Sequence, residues 1–259
     1  MIRVVANPAA GGYSAALTAE VRRRCRESEV DLTVVVGGDG TASRAARSPA
    51  PLHIVPAGTA NSFYRTVWGD TPWQVALDVA LSGAPPRLVD VARIAGTDGV
   101  VLSGASAGLP AQAIRLAKSA GTSYAAALAD LGEQYEPYPG RVVVDGEVVH
   151  SGPTMLANVG GARHRGGRYE LLPHSVLDDG LLDVCVVGAS HSVRDMVRLT
   201  QTGAHVGLPD VVYARGRRVR LERLDAGPLR FEHDGEPVPA GRAVTLEVLP
   251  RALPVIAPG

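Results

Sequence analysis

Two cysteines, Cys25 and Cys185, are all that a chain of 259 residues holds; they lie far apart and neither has a CxxC partner. This argues against a disulfide-stapled scaffold and sets the expectation of a reduced, cytoplasmic setting. Long apolar runs are also missing. Nothing approaches the roughly 20 residues that a membrane-spanning helix needs. The segment MIRVVANPAAGG ends its short apolar stretch at Asn7-Pro8, without the core and cleavage pattern of a signal peptide. Peripheral contact with a membrane surface is the most this pattern allows. Charge of one sign is lacking too: Lys+Arg and Asp+Glu each number 26, which gives no electrostatic case for nucleic acid. The one basic run, Arg215-Gly216-Arg217-Arg218-Val219-Arg220, reads as a solvated strand or turn, with an anionic membrane surface as the alternative. No His/Cys/Asp cluster has zinc-like spacing, and no repeat is evident. What remains is 46% hydrophobic and 20% charged, the composition of a globular protein long enough for one large or two modest domains.

The first third alternates strand and helix. Ile2–Ala6 is a short β-rich run, residues 14–26 have a helical pattern, and Val30–Val36 is almost continuously apolar, as in a parallel strand buried on both faces. A short helix over 41–47, a strand over Leu52–Val55 and a helix over Trp73–Leu81 follow, so a three-layer α/β domain with a mainly parallel sheet is expected over residues 1–86. Trp68 and Trp73 are expected to pack this domain. After Pro85-Pro86, short alternating runs dominate, separated by turn signals such as Asp145-Gly146, Asp179-Gly180 and Asp234-Gly235. Helical patterns near 110–129 and 192–202 interrupt them. A mostly β, sandwich-like second domain is expected over 87–259, with the last residues free to return to the first.

Three turns carry chemistry. VVVGGDGT, residues 34–41, leads a strand through glycines into a helix start, a geometry that aims backbone N–H groups at one spot. Glycines let a phosphate approach the backbone closely. Asp39 would repel that phosphate unless it met a metal ion or a hydroxyl, which points to Mg²⁺. The segment is neither a P-loop nor a G-x-G-x-x-G fingerprint. Asn7-Pro8-Ala9-Ala10-Gly11-Gly12 and Pro56-Ala57-Gly58-Thr59-Ala60-Asn61 end the flanking strands, so all three turns would lie at carboxyl ends of parallel strands, where α/β ligands bind.

In this order, NPAAGG, GGDGT and PAGTAN resemble the catalytic domain of the diacylglycerol kinase and sphingosine kinase superfamily, above all its small bacterial lipid kinases. The resemblance continues through Asn158, Gly160-Gly161, Ser175-Val176-Leu177-Asp178-Asp179-Gly180-Leu181-Leu182-Asp183 and His233-Asp234-Gly235-Glu236 to Leu249-Pro250-Arg251-Ala252-Leu253. GGDGT is shared with NAD kinases, and the later segments separate the two. The resemblance implies a two-domain, ATP- and Mg²⁺-dependent kinase acting on a hydroxyl of a lipid or other hydrophobic alcohol. Asn7, Gly37, Gly38, Asp39, Gly40, Thr41, Thr59 and Asn61 match nucleotide-side positions, with Asp39 toward the metal. Asp178 or Asp179 matches the carboxylate region that would activate the acceptor hydroxyl, and Glu236 is the nearby acid.

Some positions depart from the family pattern. Ser62 and Arg44 stand where the family has acids, Pro110 fills another commonly acidic position, and the interval from Asn7 to Gly37 lacks one strand–helix unit. A catalytically inactive kinase fold that binds ligands is therefore a second reading. A third is a serine hydrolase, because Gly104-Ala105-Ser106-Ala107-Gly108 matches G-x-S-x-G with His191, His205 and His233 downstream. His164, in a basic loop, and His205, at a family position near the acceptor, are expected to be exposed and structural respectively.

Overall fold

The computed structural model describes residues 1–258. The first domain is built as β1 (Ile2–Ala6), α1 (Ala15–Cys25), β2 (Leu32–Gly37), α2 (Asp39–Ala45), β3 (Leu52–Pro56), α3 (Ser62–Trp68) and α4 (Trp73–Leu81). Strands β1 and β2 are parallel, with Val4 opposite Val34, and β2 and β3 are parallel, with Val35 opposite Ile54. Every residue of β2 is buried, as its unbroken LTVVVG run demands of a strand covered on both faces. Ser14 caps α1 by accepting from the N–H of Leu17, and the helix turns Thr18, Val21 and Cys25 inward at helical spacing. Strand β1 stands at the end of the sheet order.

The second part runs β4 (Arg87–Ile94), β5 (Val100–Val101), β6 (Ala105–Gly108), α5 (Leu109–Ala120), α6 (Tyr124–Leu131), β7 (Tyr138–Val144), β8 (Glu147–Gly160), β9 (Leu182–Gly188), α7 (Val193–Leu199), β10 (Val211–Gly216), β11 (Arg218–Arg223), β12 (Phe231–His233), β13 (Glu236–Val238) and β14 (Ala243–Val255). Gly121, at φ 65°, splits the helical stretch after residue 109 in two. The long β14 joins the two parts. It pairs antiparallel with β4 and β11, and its last residue, Val255, lies parallel to Leu52 of β3.

The buried apolar residues form three clusters. One lies around β2, β3 and the helices of the first domain, and one lies between the strands of the second. The third packs α5, α6 and α7 onto β8 and β9 through Leu109, Leu128, Met155 and Met196. Cys25 and Cys185 are free and buried. The arginine run lies on β10 and β11 and is largely ion-paired: Arg215 to Asp179 and Asp183, Arg218 to Glu247 and Arg220 to Glu222. Among the described residues no helix is long and apolar enough to cross a membrane.

Candidate functional site

The three glycine turns meet. A Cβ on Gly58 would stand 2.4 Å from the Cα of Gly38, so the GGDGT and PAGTAN turns touch backbone to backbone, and only glycine permits it. The N–H of Gly12 bonds the carbonyl of Ala57 at 2.9 Å, and Nδ2 of Asn7 donates to Oγ1 of Thr41 at 3.0 Å, tying in the first turn. Asn61 takes up the left-handed region at φ 51° and closes its own turn in both directions. Its Oδ1 accepts from Gly58 N at 2.8 Å and its Nδ2 donates to Gly58 O at 2.9 Å. Asp39 accepts from the N–H groups of Ser62 and Phe63 at 2.8 and 2.9 Å, holding the start of α3 against the GGDGT turn. Burial raises its carboxyl above the ordinary range, while those two N–H groups pull the other way.

A second hairpin closes over these turns. His233 pairs with Glu236 across a two-residue loop, Asp234-Gly235, with φ of 48° and 80°, as an Asp-Gly hairpin turn requires. The Asp234 carboxylate accepts from Leu102 N and Ser103 N at 2.9 and 2.7 Å, anchoring the loop from within. The neighbouring Asp234 carboxylate, through its contact with the ring, also raises the imidazole of His233 above its usual value. Below lies a buried ion pair: Nη2 of Arg165 donates to Oε1 of Glu232 at 2.6 Å, and Oε2 of Glu232 accepts from Gly235 N at 3.0 Å. Glu236 is different, because its carboxylate is half-exposed. A Cβ on Gly40 would meet its Oε1 at 3.3 Å, and Nζ of Lys118 on α5 donates to its Oε2 at 2.5 Å.

These groups line one cleft of about 450 Å³ between the two domains. Asn7, Gly38, Asp39, Gly40, Thr41 and Thr59 face it from the first domain; Pro110, Ile114, Lys118, Tyr124, Arg165 and Glu236 face it from the second. Gly37 and Asn61 stand just behind, Gly37 pressed against Thr41 and Asn61 holding Gly58. Asp178 and Asp179 do not line it. Arg87 grips both oxygens of Asp178, at 2.8 and 3.0 Å, and this contact holds its carboxyl below the usual range. Asp179 is bonded to Arg215 and to Leu181 N. Arg44 reaches the cleft with an Nη2 contact to Thr41 Oγ1 at 3.4 Å, and the Ser62 N–H meets Asp39.

Ser106 lies on strand β6 and not at an elbow. Its hydroxyl donates to Oδ1 of Asn158 at 2.7 Å, and it is 1% exposed, so no serine–histidine pair forms. The small residues around it serve close packing: a Cβ on Gly104 or Gly108 would meet a carbonyl oxygen of β8 at 2.7 or 2.5 Å. His205 is fully buried with Nε2 3.3 Å from the carbonyl of Leu171, and His164, contrary to the expectation of an exposed side chain, is mostly covered and stands 3.8 Å from Glu170. Trp68 packs the first domain, with the ring of His53 edge-on at 5.8 Å. Sequence reasoning missed Lys118, Glu232 and the buried role of Arg165; each depends on a partner more than 60 residues away.

Comparison with known proteins agrees with this architecture. Residues 14–94 match the family model of the diacylglycerol kinase catalytic domain, and residues 99–257 match that of the YegS C-terminal NAD kinase beta sandwich-like domain. The chain is 32% identical over 248 residues to a Mycobacterium tuberculosis protein named diacylglycerol kinase, an alignment covering 88% of this chain and 77% of that one. It is 31% identical over 237 residues to a Pseudomonas savastanoi protein named "Probable lipid kinase YegS-like", covering 87% and 75% respectively. A crystal structure of a Bacillus anthracis diacylglycerol kinase superposes with a TM-score of 0.68 at 22% identity, covering 99% of this chain and 96% of that one, which shows a shared fold. The chain belongs to the diacylglycerol kinase–YegS superfamily of lipid kinases, with an α/β catalytic domain followed by a β-sandwich-like domain.

Proposed function

We propose that the cleft transfers the terminal phosphoryl group of ATP, as its Mg²⁺ complex, to a hydroxyl of a lipid or other hydrophobic alcohol. The observation that carries this reading is the meeting of three glycine turns beneath one half-exposed carboxylate, Glu236. The side-chain-free backbone of Gly38 and Gly40 lines the cleft and lets phosphate oxygens approach closely, where charge must be absorbed. The phosphate-side residues would be Asn7, Gly37, Gly38, Asp39, Gly40, Thr41, Thr59 and Asn61; of these Asn61 acts on its own turn. Pro110, Ile114, Ala117 and Leu171 give the second-domain wall an apolar face for the acceptor.

Mg²⁺ fits this donor set as a companion of the phosphates. Among the described residues no group of three or more His, Cys, Asp or Glu could cage a metal ion. Mg²⁺, however, is commonly held by one or two carboxylates together with substrate phosphates and water. Each Asp39 oxygen accepts one backbone N–H, from Ser62 or Phe63, and keeps lone pairs free. Bound there, the ion would neutralise phosphate charge.

Glu236 takes the role of base in this reading. Asp39, Glu232 and Asp234 are committed to backbone N–H groups or to Arg165, and Asp178 and Asp179 are held by arginines outside the cleft. The acceptor hydroxyl gives its proton to Glu236 as its oxygen bonds the terminal phosphorus, the bond to the bridging oxygen breaks, and ADP leaves. The nucleotide side spans residues 1–86 and the acceptor side 87–259, with the end of β14 returning to β3. Transient contact with a membrane surface, in a cytoplasmic setting, goes with a lipid acceptor. The charge of Arg44 where the family has an acid favours one further reading, nucleotide binding without turnover. The test is transfer of label from γ-labelled ATP to diacylglycerols and long-chain alcohols, with parent protein and Glu236→Gln. Labelled lipid from the parent and almost none from the variant supports the assignment; no product with any acceptor, despite ATP binding, favours the inactive fold.

A further inference from the structure

Lys118 is the only lysine in the chain: of the 26 basic residues, the other 25 are arginines. It lies in the last turn of α5, lines the cleft, and pairs with Glu236. Any cation suits a helix C-terminus, so position alone does not call for lysine over arginine. The two differ in chemistry. A guanidinium is a planar fork that locks onto a carboxylate in two places, whereas an ammonium is a compact charge on a flexible stem that can turn between neighbouring acceptors. The arginines of this chain illustrate the first behaviour, as Arg87 grips Asp178 through two nitrogens. Lys118 holds one oxygen of Glu236, and the other oxygen sits over Gly40 of the GGDGT turn. The ammonium is therefore one carboxylate away from the phosphate turn.

We propose that Lys118 is a phosphate-binding residue that exchanges partners during the reaction. This rests on the reading of the cleft as a kinase site. In the free protein the ammonium neutralises Glu236. When the phosphates of ATP fill the glycine turns, it swings onto the terminal phosphoryl group, and Glu236 is left to accept the proton of the acceptor hydroxyl. That hydroxyl oxygen then bonds the phosphorus, the bond to the bridging oxygen breaks, and the added negative charge on the transferring oxygens faces the ammonium. The exchange couples release of the base to the presence of a phosphoryl donor, so the second domain contributes to the phosphate site as well as to the acceptor wall. The side chain is about half exposed, at 48%, and is free to make the swing.

A unique side-chain amine makes the test direct. Native protein is treated with an amine-acylating reagent, and modification of Lys118 is followed by mass spectrometry alone, with AMP, with inorganic tripolyphosphate and with ATP, each with Mg²⁺. The expected result is protection of about tenfold or more by tripolyphosphate and ATP and none by AMP. In parallel, calorimetry on Lys118→Met should show ATP binding weakened about tenfold, in keeping with loss of a charge-assisted bond, with AMP binding unchanged and with Lys118→Arg, whose fork stays locked on Glu236, recovering only a small part of the loss. If ATP binds the parent but protects Lys118 no better than AMP does, and Lys118→Met binds it as tightly, the proposal is overturned while the nucleotide reading of the cleft stands. If the parent binds no nucleoside triphosphate, both fall.

Discussion

Replacing Gly58 with alanine puts a single methyl group where the GGDGT and PAGTAN turns cross. An ideal Cβ there stands 2.4 Å from the Cα of Gly38, 3.0 Å from its nitrogen and 2.9 Å from Oδ1 of Asn61. Carbon atoms in contact prefer roughly 3.5–4.0 Å, so the overlap exceeds about 1 Å. Two of the three colliding atoms are backbone, and the third belongs to a side chain held by two hydrogen bonds, so none can rotate away. Relief requires the turns to separate, at the usual overpacking cost of about 1–3 kcal/mol. In a chain of this size that lowers Tm by roughly 2–10 °C. Function should suffer more than stability, because separation moves Asp39 and the start of α3 together through their shared hydrogen bonds. The assay is thermal unfolding with ATP calorimetry on Gly58→Ala, alongside Gly161→Ala as a control in open space with an ordinary φ. The control should stay within about 0.5 kcal/mol. A Gly58→Ala protein with parental Tm and parental ATP affinity would refute the claim that these turns form one rigid floor.

Other expectations follow from the buried charges and from the base assignment. His53 is 1% exposed, both ring nitrogens lack partners, and burial drops its pKa to about 4. The folded state keeps it neutral while the unfolded chain binds a proton below about 6.5, so its contribution is intact above that pH and is lost progressively from 6.5 toward 4, about 3 kcal/mol in all. His53→Leu should flatten that part of the stability–pH curve in denaturant titrations; an unchanged slope would show the group is not the cause. Glu232→Gln leaves Arg165 buried without its charge partner and should cost about 3–5 kcal/mol, read as a lower denaturation midpoint. Glu236→Gln should cut kcat by about 10²–10⁴ with ATP affinity changed little, whereas Asp178→Asn and Asp179→Asn should each retain most of the rate. A collapse of kcat in either aspartate variant, with the fold intact, would return the base to that pair.

Much of the fold can be read from local pattern. The helix at Trp73–Leu81 and the strand at Ile2–Ala6 fall where periodicity places them, and Ser14 caps the helix it precedes. Helix α3 has no such signature. It begins after Asn61 in a left-handed conformation, without a side-chain cap of its own, and its first N–H groups are satisfied by Asp39 from another element. Tertiary contact makes that helix, and a linear reading cannot see it. The stretch Gly104–Gly108 misleads for a related reason. Its small residues allow close approach to the carbonyls of β8, and Ser106 meets Asn158 across paired strands.

The site was legible in part through motif order. The three turns do come together, and the Asp-Gly before Glu236 is both a hairpin turn and part of the cleft wall. The Asp178–Asp179 pair enters as a candidate only because its segment resembles the family's carboxylate region. Their partners Arg87 and Arg215 lie 91 and 36 residues away, and spacing gives no hint of either. Lys118 and Glu236, 118 residues apart, are invisible as a pair for the same reason.

The most direct test of the central claim is calorimetric titration of ATP and Mg²⁺ into the parent and into Asp39→Asn. The account predicts saturable binding to the parent that needs the triphosphate, weakened about tenfold or more when Asp39 loses its charge. Parental affinity in Asp39→Asn would place the nucleotide away from the GGDGT turn, and absence of binding to the parent would contradict the kinase reading of the cleft altogether.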